Sequence, residues 1–191
     1  MPVRQSGKVM PFTPPPQLKS SMFGVRGPAA GPKPPPKPKG PAGIRIENRV
    51  GIHAPADVIW EVIADIPRWH EWNPLYTAGS GQIRMGATLD LTLALPGQAP
   101  QQIQPVVLDW VPNEQLHWRM SMMGGMVKTI RFIEIEQLAP ESCIVSNGEL
   151  FSGLMAKPML RRVGRAFHRG FREMGEALKA RAEAEWQARK G

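Results

Sequence analysis

Residues 157–187 read KPMLRRVGRAFHRGFREMGEALKARAEAEWQ. Leu160, Val163, Phe167, Phe171, Met174 and Leu178 recur there at steps of three or four, which predicts one long amphipathic helix with a single apolar stripe. The opposite side bears Arg161, Arg162, Arg165, Arg169 and Arg172. The stripe needs a partner surface, and the residues before it supply strands.

Working back from the helix, strands are expected near 142–152, 127–138, 114–122, 103–111 and 86–95, with a shorter one at about 75–83. Gly79-Ser80-Gly81, Pro96-Gly97, Pro112-Asn113, Gly124-Gly125 and Pro140-Glu141 are the turn signals between them. Leu89, Leu91, Leu93 and Leu95 alternate onto one face. So do Leu116, Trp118, Met120 and Met122, with Gln115, His117, Arg119 and Ser121 on the other. Such short connections make antiparallel hairpins, so a meander of six or seven strands follows. A further strand opens at Ile44, where Ile46, Val50 and Ile52 alternate with Glu47, Arg49 and His53. Pro55 and Asp57 then start a short helix that Pro67 breaks, and a second helical turn ends at Asn73-Pro74. No βαβ alternation appears, which excludes a doubly wound sheet and its nucleotide site.

Composition divides the chain. Of the 21 prolines, twelve fall in residues 1–43, together with seven Lys or Arg and no acid. That stretch cannot build a core and reads as a disordered, basic, polyproline-like tail. Pro32, Pro35 and Lys37 fit a Pro-x-x-Pro-x-basic pattern that any lysine-bearing proline linker meets by chance, and Met22 to Val25 form a small apolar island. The domain is expected over 44–187. Residues 44–191 carry seventeen basic and sixteen acidic groups, so the net charge of +8 belongs mostly to the tail. Within the body the helix is basic and the residues before it acidic, so the two are expected to attract. One cysteine, Cys143, excludes an internal disulfide, and four scattered histidines give no ligand spacing, so neither metal nor cofactor is expected. No apolar run spans a bilayer and no secretory signal is evident, which points to a cytoplasmic protein.

The segment HAPADVIWEVIADIPRWHEWNP at 53–74 and the ending FSGLMAKP…FHRGFREMGEALKARAE at 151–183 resemble the START-like superfamily, within it the polyketide cyclase/dehydrase and lipid-transport family. The resemblance covers about 44–185. It implies an α+β helix-grip fold, with a curved antiparallel sheet wrapped around the C-terminal helix and a cavity between them for a nonpolar or amphipathic small molecule. It transfers no catalytic motif, and the fold alone assigns no function.

Candidate contacts therefore come from parity and helical phase. Leu89, Leu91, Trp118, Met120 and Met122 on the strands, and Leu160, Val163 and Phe167 on the helix, are the expected apolar wall. Trp72 and Tyr76 are expected near the cavity mouth. Inward polar residues are the more telling ones, because an unpaired buried polar group costs about 1–3 kcal/mol. Arg131 alternates with Ile133 and Ile135, and Glu149 shares a face with Asn147 and Phe151, so on adjacent strands the two could form a buried pair; Asn48 interrupts the inner face of the first strand. His53, His117 and His168 are expected in solvent, and Cys143 has no activating neighbour. Three functions fit: carriage of a hydrophobic small molecule, a cyclase or dehydratase acting on a polyketide-like substrate, or an interaction module. In the last, the basic tail and helix face would meet an anionic membrane or acidic partner, with no sequence-specific reading of nucleic acid. The sequence names neither the ligand nor an oligomeric state.

Overall fold

The computed structural model describes residues 43–191; the tail, with its Pro-x-x-Pro pattern and Met22 to Val25 island, lies outside the described residues. Eight strands and two α-helices follow in the order β1 (Ile44–Ile52), α1 (Ala56–Ala64), a 3-10 helix (Ile66–Glu71), β2 (Tyr76–Ser80), β3 (Asp90–Leu93), β4 (Gln101–Ile103), β5 (Val106–Val111), β6 (Gln115–Met122), a 3-10 turn (Met123–Gly125), β7 (Val127–Ala139), β8 (Ser142–Ser152) and α2 (Ala156–Lys190). All pairings are antiparallel, in a five-stranded sheet of order β1-β8-β7-β6-β5 and a three-stranded sheet of order β2-β3-β4.

One strand anticipated at 103–111 is thus two. Pro105 has no N–H to give a ladder, and the chain passes there from the three-stranded sheet into the five-stranded one. The sheets remain joined, because Val107 N donates to Ala87 O and Leu89 N to Pro105 O, each at 2.9 Å, beside a bridge between Thr88 and Val106. The result is a single curved wall whose hollow side grips α2.

The parity of the strands decides what lines that hollow. Leu89, Leu91, Leu116 and Trp118 are buried on the inner side, where α2 contributes Phe167, Phe171, Met174 and Leu178. Gly175 lets the helix pass close to β1: a Cβ there would stand 2.6 Å from Asn48 Nδ2, so the Asn48 amide would have to give way. Trp69 fixes the first helical pair by donating from Nε1 to Ile63 O at 3.0 Å, and Asn73 Oδ1 accepts from the backbone of Leu75 and Tyr76 to turn the chain into β2. The expected attraction between helix and body sits at one end of α2, where Arg181 meets Glu71, Arg189 meets Glu61 and Lys190 meets Glu141. Among the described residues no helix is long and apolar enough to cross a membrane.

Candidate functional site

A cavity of about 170 Å³ lies between the inner wall and the first half of α2. Tyr76 enters from the start of β2, Leu93 from the end of β3 with Leu95 just beyond it, and Trp118, Met120 and Met122 from β6. Glu149 projects from β8, while Met159, Val163 and Phe167 come from the helix and Gln98, Gln101 and Ile103 close the remaining side.

Seven of the residues picked out by pattern meet here: Tyr76, Trp118, Met120, Met122, Glu149, Val163 and Phe167. Five do not line the cavity. Trp72 caps the 3-10 helix and faces a separate hollow with Glu61, Arg68, Arg181 and Glu185. Leu89 and Leu91 are sealed into the core, and Leu160 packs half-buried against its edge. Arg131 lies deeper than the cavity wall. The Gln98 and Gln101 contacts had no signal in the alternating pattern, since Gln98 belongs to the connection after Pro96-Gly97 and Gln101 opens the three-residue strand β4.

Arg131 is 1% exposed and opposite Glu149 in the β7–β8 register, yet no hydrogen bond joins them among the described residues. Its guanidinium instead donates from Nη1 to Phe132 O and Gly148 O, each at 2.7 Å, and from Nη2 to Asn147 Oδ1 at 3.1 Å and Met174 Sδ at 3.2 Å. The same group lies 4.3 Å from the Phe171 ring centre and 5.6 Å from that of Trp118. Asn147 in turn donates to Phe171 O at 3.2 Å, which ties β8 to α2. Arg131 is thereby a fastening of the sheet to the helix, and its charge reaches the cavity only as a field.

Glu149, 5% exposed, is the acidic group of the cavity wall. Burial pushes its carboxyl above the usual carboxylate range; Thr129, whose hydroxyl lacks a well-formed partner, and the Arg131 charge pull it back only in part. Tyr76 is pushed up to about 12, mainly by burial. Both therefore favour their neutral, hydrogen-donating forms. A carboxyl raised in the folded state holds a proton that the unfolded chain releases, so stability falls as pH rises through the ordinary carboxylate value towards the raised one. A Glu149→Gln variant, an isostere of the protonated acid, is expected to melt with wild type at pH 4 and above it at pH 8. Parallel melting curves across that range would refute the assignment.

The other reactive groups lie outside the cavity. His53, His70 and His168 are exposed, and His117 stands on the outer face with Nε2 3.1 Å from Glu134 Oε1. Cys143 is buried, with its thiol donating to Ala54 O at 3.4 Å, and burial pushes that thiol up. Among the described residues no group of three or more His, Cys, Asp or Glu could hold a metal ion.

Outside the break between β4 and β5 lies a larger open hollow of about 1090 Å³, whose lining includes Val106, Leu108, Ile130 and Leu150. Gln101, Ile103, Met120 and Met122 line both spaces, so the smaller cavity adjoins the outer one at the end of β4.

Solved structures share this architecture at low identity. The chain is similar to the ZhuI aromatase/cyclase from Streptomyces sp. R1128, with 17% identity and a TM-score of 0.66 over 78% of this chain and 99% of that one. It is similar to a START superfamily protein from Mycobacterium smegmatis, with 19% identity and a TM-score of 0.59 over 74% and 98%. Norcoclaurine synthase from Thalictrum flavum, as a point mutant holding a transition-state analogue, gives 16% and 0.58 over 75% and 96%. No curated protein matches the sequence. At these identities the structures speak for the fold. The family is fixed by the sequence model for polyketide cyclase / dehydrase and lipid transport, which matches residues 43–183, from the glycine before β1 to the last buried turns of α2, and the chain belongs to that family.

Proposed function

We propose that the chain binds a hydrophobic small molecule, lipid-like or aromatic, with one end seated between the sheet and α2. The observation that carries this reading is the mostly apolar cavity, walled by Leu93, Trp118, Met120, Met122, Val163 and Phe167 and bearing Tyr76, Gln98, Gln101 and Glu149 as its polar groups, as small-molecule sites are. Its size limits what enters. A dry cavity of roughly 150 Å³ accepts a benzene-sized molecule, so a single ring or a chain end is housed and the rest of the ligand extends past Met120 and Met122 into the outer hollow. The methionines suit this, since thioethers adapt to varied shapes.

Uptake of a fluorescent apolar probe by the full chain tests the reading. Val163→Trp fills the cavity and Met159→Arg, at a half-buried lining position, places a charge in it, and each is expected to weaken binding about tenfold or more. Unchanged uptake in both folded variants would refute the site. Trp118→Ala is less informative, because this indole is a core residue.

A second reading, a cyclase or dehydratase acting on a polyketide-like substrate, is favoured by one observation: Glu149 presents a carboxyl whose protonated form burial favours. Such a group can donate to a carbonyl oxygen and assist proton movement in a water-poor site. Under this reading Glu149→Gln still binds the probe but forms no cyclised product from a polyketide analogue. A carrier loses nothing in that variant.

A further inference from the structure

The end of the molecule beside the cavity carries exposed apolar groups that ligand binding does not explain. Two turns meet there, with Met155 N donating to Met126 O at 3.2 Å. From these turns Leu154 projects 89% exposed, Met123 48% and Met126 45%. Met123 holds a left-handed φ of 55°, uncommon for a residue with a side chain, so a thioether is kept at the apex against its backbone preference.

Positive charge surrounds this apex. Residues 115–133 and 150–172, the segments that form it, contain no Asp or Glu. Lys128, Lys157, Arg161 and Arg162 make no ion pair among the described residues, unlike the arginines at the other end of α2, whereas Arg165, further along the helix, shares a hollow with Glu47. Protruding aliphatic and thioether groups ringed by unpaired cations match the two layers of a bilayer surface, hydrocarbon beneath anionic phosphate.

We propose that this apex docks on an anionic phospholipid membrane, with Leu154, Met123 and Met126 entering the acyl layer and Lys157, Arg161 and Arg162 meeting headgroup phosphates. Nucleic acid is the poorer match, because the exposed groups include no aromatic ring on which a base could stack. The docking is independent of the cavity's occupant, although Met123 and Lys128 also line the outer hollow that adjoins it.

Flotation of the full chain with vesicles tests this. Binding is expected to phosphatidylcholine vesicles containing about a third phosphatidylglycerol, and not to phosphatidylcholine alone. The pair Leu154→Ser and Met126→Ser leaves every charge in place, including the tail's seven cations, and is expected to lower partitioning about tenfold. Arg161→Glu with Arg162→Glu should lower it at least as far. Leu154 is so exposed that its replacement leaves the melting temperature unchanged. Undiminished vesicle binding by the serine pair would overturn the proposal, as would failure of the wild type to float or capture by duplex DNA in place of vesicles.

Discussion

Arg131→Met is expected to lower stability by about 3 kcal/mol, because three buried acceptors lose their donor at once. The methionine restores the apolar bulk of the side chain but none of its donors. Phe132 O, Gly148 O and Asn147 Oδ1 each lose a charge-assisted partner in a place water does not reach. Asn147, freed on one side, also positions the contact to Phe171 O that ties β8 to α2. Arg131→Lys is expected to recover little, because a point charge cannot span two carbonyls and an amide as the planar fork does. A 150-residue domain moves by roughly 2–4 °C per kcal/mol, so the loss corresponds to about 10 °C in melting temperature. A change of less than 2 °C, on the same scale of roughly 2–4 °C per kcal/mol, would show that these bonds are not what fastens the sheet to the helix.

Gly148→Ala is expected to cost about 3 kcal/mol or more, through a wholly different cause. A Cβ at this position would lie 2.4 Å from Ile46 O, 2.5 Å from Phe132 Cζ and 2.9 Å from Glu47 Cα. The phenyl ring could swing aside, but the other two atoms are backbone of β1, so the first strand must separate from β8. Phe132 lies over this glycine on the outer face and is covered in turn by the Arg45 guanidinium, 4.0 Å from its ring centre. Chemical denaturation of Gly148→Ala alone and with Phe132→Ala measures the effect. Removing the ring should not rescue the alanine, because the backbone contacts persist; full rescue would mean that the β1–β8 register differs.

Much of this architecture was legible from spacing. The apolar steps from Leu160 to Leu178 define the gripping face of α2, and the alternation through Leu116, Trp118, Met120 and Met122 puts a wall opposite it. Parity also put Glu149 on an inward face. It could not say where Arg131 would send its fork, since strand register fixes the Cα opposite Glu149 and leaves a long side chain free to choose carbonyls. Trp72 stands just past the 3-10 helix and faces a different hollow from the one Tyr76 lines, a placement that spacing alone does not encode. Pro105 did carry a signal: a proline within a strand pattern marks an edge or a break, and it is where one anticipated strand became two. The size of the cavity depends on how the rotamers of Met120, Met122, Met159 and Phe167 fill the space, which no periodicity encodes.

The pairing of β1 with β8 has a consequence for biosynthesis. The first strand has no neighbour in the sheet other than one that leaves the ribosome about a hundred residues later, so its edge stays open while most of the domain is made. Vectorial synthesis therefore cannot lay this wall down strand by strand. The final, sheet-closing step waits for Ser142–Ser152, and a chaperone that shields Ile46 and Ile52 in the nascent chain would act on the interval in which this protein is most prone to aggregate.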